Sequence, residues 1–337
     1  MLFDYIRAGM VLTQDVFDDR GNLLLENGSI LTNTYLIRLR QLGFRQLRIF
    51  DPYAASLKPP PIIPEELRQE LALCFQALTN LRWKQSQNLK LRFLYLQRIN
   101  SMVKEVIAHL ETQIPDIINL SVRQPTEDEI SHSVNVCLLS IVTALYLKLP
   151  ASVLSEIAIG ALLHDIGKTA LTEDVSPENA YIHTIYGKDL LLANKFSPTV
   201  ARIAAEHHER PDGTGNPLGL LAKDIHPLSR IVAIANYYDR AIACEKETQL
   251  SRQEIVENML VNGNAAFDLT TLRAFFQTIA VYPVGSLVKL NSGKLAYVLR
   301  NKVRMPLRPC VELADASRLE IDLVLQPNIT IEQLIEE

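Results

Sequence analysis

The chain has 337 residues, a formal net charge of -4 and 48% hydrophobic residues. That is enough apolar material for a sizeable core spread over two or three domains, and too little positive charge for a global field that would draw nucleic acid or anionic lipid. Cysteines stand at 74, 137, 244 and 310 with no C-x-x-C pair, which argues against a thiolate zinc site or a disulfide framework and fits a reducing compartment.

The opening "MLFDYIRAGM" carries Asp4 and Arg7 where a secretory signal would keep its apolar stretch. No uninterrupted run approaches the roughly 18 apolar residues of a membrane span, so a cytoplasmic protein with no membrane segment is expected. Residues 1–56 read as a small α/β unit. Strands are expected over Met10–Phe17, Leu23–Leu25 and Gln46–Phe50, with turns at "DDRGN" and "ENG" and a helix near Thr34–Leu42 stopped by Gly43.

Residues 57–64, "LKPPPIIP", form an extended proline-rich linker. Residues 65–119 read as a helical connector in which Leu96, Ile99, Val103, Val106 and Leu110 recur at the spacing of a packing seam. Docking onto its own domain is favoured over pairing with a second copy, and a homodimer through residues 89–113 stays open. The basic stretch "RWKQSQNLKLR" at 82–92 reads as a solvated helix face, and no nucleic-acid partner is expected.

Residues 120–281 carry the 3.6-residue apolar period throughout, and residues 282–337 change to short alternating segments, "SLVKL", "KLAYVLRN", "CVEL" and "LEIDLVL", closed by a helical turn. The fold class is therefore mainly α: an all-helical domain with a small N-terminal α/β unit and a small C-terminal β-module.

The chemistry concentrates in the helical domain. His132 in "EDEISHS" shares a helix face with Asp128 four residues earlier. His164 and Asp165 end the apolar helix of "IAIGALLHDIGK", stopped by Gly167; His183 lies in "YIHTIYG", His207 and His208 continue the apolar face of "TVARIAAEHH", and Asn236 lies in "RIVAIANYYDR". Any one of these histidines alone is more often an ordinary hydrogen-bonded group than a ligand. A buried imidazole without a partner costs about 1–3 kcal/mol, so several converging on one core need an answer, and a metal cluster supplies it. Neighbouring residues on a helix diverge by about 100°, so a doublet such as His164–Asp165 serves two ions only if the carboxylate bridges them. His109 and His226 fall outside the pattern. Imidazole and carboxylate without thiolate suit iron, manganese, zinc or nickel. Two close divalent ions bridged by a carboxylate activate water at neutral pH and grip the non-bridging oxygens of a phosphodiester.

At "HDIGK" together with "HHERPDGTGNP" the sequence resembles the HD-GYP family, bacterial phosphodiesterases of the HD superfamily that linearise and cleave cyclic di-GMP. The resemblance covers roughly residues 120–280. It implies an HD-type helical domain in which His132, His164, Asp165, His183, His207 and His208 ligate two divalent ions, iron or manganese ahead of zinc or nickel, with Asp165 bridging. It further implies that Lys168 stabilises phosphate oxygens and that the substrate is a cyclic dinucleotide or a related phosphoester. Asp212, Gly213 and Asn216 in the glycine loop are candidate substrate contacts.

Four departures qualify the resemblance. Asp128 stands where the family has glutamate, and its shorter arm makes a third ion unexpected. Asn236 stands where the family has its last metal-binding aspartate, offering a carbonyl oxygen without charge. Asn216 replaces the family's tyrosine, which leaves the 212–217 loop open to a protein partner. The stretch between Asp165 and His183 is short, and "YYDRAIACEKETQ" sets Glu245 and Thr248 where phosphate-binding cations are expected. Two functions follow: a metal-dependent phosphodiesterase, or a degenerate HD-GYP domain with little or no turnover acting as a regulatory or protein-interaction module.

Overall fold

The computed structural model describes residues 1–81, 89–113, 128–171 and 181–336. It divides into two units, Met1–Pro59 with Val281–Glu337, and Pro60–Ala280. The first part of the basic stretch at 82–92, the end of the connector and start of the helical domain at 114–127, and residues 172–180 of the segment between Asp165 and His183 lie outside the described residues.

In the first unit the expected strand over Met10–Phe17 is broken into β1 (Val11–Leu12) and β2 (Val16–Phe17). The break has a cause. β1 pairs with β4 (Ile49–Phe50) and β2 with β3 (Leu23–Leu25), and between them the Thr13 N–H donates to Arg48 while Asp15 accepts from the Asn27 N–H, so the chain changes partner there. Helix α1 (Asn33–Gln41) is capped by Thr32 and followed by Gly43 at φ +84°. Asp51 caps a short helix α2 (Pro52–Leu57) that the sequence pattern did not announce. Phe3, Ile6, Met10, Leu12, Val16, Leu31, Leu39 and Leu47 form the core of this part.

The C-terminal residues build an antiparallel sheet of β5 (Leu287–Leu290), β6 (Leu295–Arg300), β7 (Cys310–Leu313), β8 (Glu320–Asp322) and β9 (Ile331–Glu336), in the order β8-β7-β6-β5-β9. The expected closing helical turn is thus a strand: β9 ladders onto the open edge of β5, with Ile331 opposite Leu290 and Leu334 opposite Val288. An unpaired sheet edge satisfies more backbone groups than an isolated helical turn would. Side-chain bonds join the sheet to the N-terminal residues. Arg7 donates to Tyr297 at 2.6 Å and to the Ala314 carbonyl at 3.2 Å, Tyr297 donates to Asp51, and Tyr53 donates to Glu312 at 2.6 Å.

The second unit begins with the proline run, which is non-helical as expected but sinks Ile62 and Ile63 into the helical core, each 1% exposed. It continues through α3 (Glu65–Thr79), α4 (Leu89–Gln113), α5 (Glu129–Tyr146), α6 (Ala151–Leu162), α7 (Ile182–Ala193), α8 (Pro198–Glu206), α9 (Pro227–Ala243), α10 (Glu245–Thr248), α11 (Arg252–Val261) and α12 (Leu269–Phe275). Ile99, Val103, Val106 and Leu110 of α4 are buried and Leu96 half-buried, with α4 packed on α3 and α6, so the seam is used inside the unit. Helix α5 is long and apolar enough by composition to match a membrane span. Instead it is the central helix, buried from His132 to Leu145 among α3, α6, α9 and α12.

Candidate metal centre

The predicted histidine and aspartate ligands sit at or beside helix ends, while Asn236 lies midway along α9. Asp128 caps α5, accepting from the N–H groups of Ile130 and Ser131 at 3.1 and 2.9 Å, and this presents His132 one turn later as a buried side chain. Helix α6 ends at Leu162, so His164 and Asp165 lie in the turn that joins it to a 3-10 segment, Ile166–Ala170. Gly167 therefore does not stop a helix. A Cβ there would stand 1.9 Å from the His183 carbonyl oxygen and 2.5 Å from the Gly187 nitrogen, so glycine is what lets this turn lie against α7 and bring Asp165 to His183. Helix α8 closes at Glu206, leaving His207 as its C-terminal cap and His208 just beyond.

The tautomers follow from the ring partners. His132 directs Nδ1 at Asp239 (2.7 Å), His164 at the Ala161 carbonyl (2.7 Å) and His207 at the Ala204 carbonyl (2.9 Å). Carboxylates and carbonyls only accept, so each Nδ1 carries the proton and each Nε2 presents a lone pair. Those lone pairs converge. The Nε2 atoms of His183 and His207 are 3.5 Å apart, and they stand 3.2 and 3.5 Å from Oδ1 of Asp165, while Nε2 of His164 is 3.3 Å from Oδ2. Two groups result, His132 with His164 and Asp165, and His183 with His207, His208 and Asp165, the carboxylate being common to both. Each group's ligand atoms lie within 4.8 Å of one another.

This donor set fits cations. His164 Nε2 and Asp165 Oδ1 are buried and make no hydrogen bond of acceptable geometry. Asn236 places its amide 3.0 Å from His132 Nε2, where its oxygen can share an ion with the ring or its NH₂ can donate to it. Burial holds His132 below its ordinary pKa, which keeps the ring neutral. Burial, aided by the neighbouring imidazoles, likewise pushes His207 down to about 4 and His208 to about 2, so both rings are neutral and ready to coordinate near neutral pH. Asp165 lies well below the usual carboxylate range despite its burial, with Lys168 and Arg240 beside its Oδ2.

The outer side of Asp165 is cationic. Lys168 approaches Oδ2 at 2.7 Å and Arg240 at 3.4 Å, and both pair with Glu129, at 3.1 and 2.6 Å. Arg240 is four residues past Asn236 on one face of α9, so a guanidinium reaches the site from the segment whose later residues looked acidic. Glu245 itself is paired with Arg252 at 3.2 Å, and Thr248 turns back to the Cys244 carbonyl. Asp212 and Asn216 are exposed, and Asp212 accepts from the Thr214 N–H and hydroxyl. The loop is pinned from within by Glu209, 3% exposed, whose two oxygens accept from Leu218 (2.6 Å) and Leu220 (2.8 Å). Glu129, Asp239, Arg240 and Glu209 were missed in the sequence. Asp239 and Arg240 had a usable signal, their i+3 and i+4 spacing from Asn236.

An HD domain family profile matches residues 112–270. A cyclic di-GMP phosphodiesterase of Pseudomonas aeruginosa is 34% identical over 242 residues, 67% of this chain and 58% of that protein. A cyclic di-GMP phosphodiesterase of Borreliella burgdorferi is 28% identical over 183 residues, 50% of this chain and 48% of that protein. A 3'3'-cGAMP-specific phosphodiesterase of Vibrio cholerae is 35% identical over 98 residues, 26% of this chain and 21% of that protein. The chain thus spans less than two thirds of the length of these curated relatives. Among solved structures, an HDG"Y"P protein from Bdellovibrio bacteriovorus aligns with 82% of this chain and 97% of its own, at 20% identity and a TM-score of 0.47. The chain carries an HD domain over residues 112–270, and its two motifs in order, the imidazole cluster they build and its sequence relatives make it similar to HD-GYP phosphodiesterases.

Proposed function

We propose that the chain is a metal-dependent phosphodiesterase that hydrolyses cyclic di-GMP or a related cyclic dinucleotide. The observation that carries the reading is the convergence of inward Nε2 atoms on a carboxylate whose buried Oδ1 makes no hydrogen bond. His132, His164 and Asp165 would hold one divalent ion, with Asn236 as a neutral fourth donor, and Asp165, His183, His207 and His208 a second. The donor set suits iron, manganese, zinc or nickel, and the HD-GYP resemblance puts iron or manganese first. When bound, such ions activate water and polarise the phosphoryl group.

The chain's own residues do the rest. Asp165, common to both groups, would be the ligand the two ions share. Lys168 and Arg240 stand at the outer edge of that carboxylate, where they meet the charge that builds on phosphate oxygens, and Glu129 holds both in register. Asp212, Gly213 and Asn216 offer substrate contacts from the pinned loop. Asp128 is spent on capping α5, which leaves two ions rather than three. The four free cysteines suit a cytoplasmic setting. A second copy docking on exposed Leu91, Phe93 and Leu94 at the start of α4, and a protein partner at the 212–217 loop, belong to the same reading.

The test is metal content per chain and turnover of cyclic di-GMP with manganese or ferrous iron, for the parent, Asn236→Asp and His208→Ala. About two ions, linear dinucleotide or GMP as product, and loss of one ion in His208→Ala are expected. Metal content unchanged in His208→Ala, with no turnover by any form, would refute it. The uncharged Asn236 favours a second reading, a regulatory domain that binds an ion without turnover. Under it the parent loads metal, and Asn236→Asp gains activity that the parent lacks.

A further inference from the structure

Helix α3 lies upstream of the segment matched to the HD domain, yet it delivers a buried arginine to the centre. Arg68 is 7% exposed and donates to Oδ1 of Asn135. Nδ2 of Asn135 donates to Oδ1 of Asp239 at 3.0 Å, and Oδ2 of Asp239 accepts from Nδ1 of His132 at 2.7 Å. Asn135 and Asp239 are 0% exposed and His132 is 1% exposed, so the chain runs through the dry interior from α3 to α5 to α9 and back to α5.

Its two ends fix its direction. A guanidinium can only donate and a carboxylate can only accept. The amide between them therefore has one allowed orientation, with oxygen toward Arg68 and nitrogen toward Asp239. The amide in turn fixes where the Asp239 carboxylate stands, and that acceptor-only group makes the imidazole donate through Nδ1 and keep Nε2 bare. Linking a buried guanidinium to a buried carboxylate through an amide is a weak source of stability, since apolar residues of similar volume do as well or better. It is an effective way to set a polarity. The need is specific here, because Asn236 brings no charge to the ion facing His132, which leaves the basicity and aim of that ring as the lever on the ion's affinity.

We propose that Arg68 is a positioning residue for the metal centre, acting through Asn135 and Asp239 to hold His132 with Nε2 bare toward the ion-binding point. This rests on reading the centre as a metal site. It also makes the connector helix a part of the centre, so that a shift of α3 would be felt as a change in affinity for one ion.

The experiment titrates the full-length, metal-stripped chain with Mn²⁺ by calorimetry, for the parent, Arg68→Met, Arg68→Lys, Asp239→Asn and the double variant Arg68→Met with Asp239→Asn. Leu71→Ala, a fully buried change on the same helix, serves as the control for lost packing alone. Asp239→Asn should weaken one binding event about 10–100-fold, and Arg68→Met the same event about 3–10-fold. The double variant should bind no more weakly than Asp239→Asn, and Arg68→Lys, which keeps a donor, should return to within about twofold of the parent. Unchanged affinity in Arg68→Met, or an equal loss in Leu71→Ala, would overturn the proposal. If the parent takes up no Mn²⁺, the metal reading itself fails. The chain of bonds is then read from the ¹⁵N resonances of the His132 ring. An Nδ1–H resonance in the parent that shifts or broadens in Arg68→Met, as the Asp239 carboxylate loses its anchored position, supports it, and an unchanged ring overturns it.

Discussion

Replacing Gly167 by alanine should pry the two halves of the centre apart. The new Cβ would stand 1.9 Å from the His183 carbonyl oxygen and 2.5 Å from the Gly187 nitrogen, where ordinary contact begins at 3.4 Å. Both obstacles are backbone, so no rotamer relieves them, and the turn must withdraw from α7 by about 1.5 Å. Asp165 is two residues away on that turn, and its 3.2 Å approach to His183 would open beyond reach of one shared ion. Overpacking of this kind costs about 1–3 kcal/mol, a fall in Tm of roughly 3–10 °C for a unit of this size. Mn²⁺ affinity at the His183, His207 and His208 group should fall at least about tenfold, with the His132 and His164 group less affected. Differential scanning fluorimetry and calorimetric titration read both effects. A Gly167→Ala protein with the parental Tm and parental Mn²⁺ affinity would refute the account of why glycine is there.

Asn236→Asp should tighten Mn²⁺ binding about tenfold or more by restoring an anion opposite His132, as measured by competition with a fluorescent chelator. Glu209→Ala leaves the Leu218 and Leu220 N–H groups without their acceptor, which costs about 2–4 kcal/mol and should open the 210–220 loop to limited proteolysis, while Glu209→Gln, with one acceptor left, should be intermediate. In the metal-stripped protein, stability should fall as pH drops from about 6.5 toward 4. The unfolded chain takes up protons there that buried His207, His208 and His132 refuse, so the unfolded state gains, by about 3 kcal/mol for His207 alone. Asp165, held low in the fold, adds its own loss below about 4. Urea titrations across pH 4–8 that give a flat stability profile would contradict the neutral-imidazole assignment.

The cluster was legible because its residue types are scarce and its motifs ordered: the histidines and Asp165 named from the sequence do converge. The groups that aim them were not. The Ala161 and Ala204 carbonyls become ring partners only where α6 and α8 stop, and helix ends are the least certain part of a periodicity argument. Glu129 reads as an ordinary first-turn acid beside the capping Asp128, and only the fold sets it between Lys168 and Arg240. The β9 strand escaped because its partner edge is created by other strands, as did the pairing of Tyr297 with Asp51, 246 residues apart.

That last separation has a consequence for how the polypeptide matures. The helical unit is contiguous, so it can complete itself while the remainder is still being synthesised. The first 59 residues must wait for partners such as Glu312, 259 positions downstream of Tyr53. Their bonds to the sheet are therefore the last to close, after a detour through the whole helical unit, and the high contact order should make this the slow step on the ribosome and in refolding. Trimming the C-terminal strands would then strip Arg7, Asp51 and Tyr53 of their partners Tyr297 and Glu312, leaving the N-terminal residues to their own apolar core.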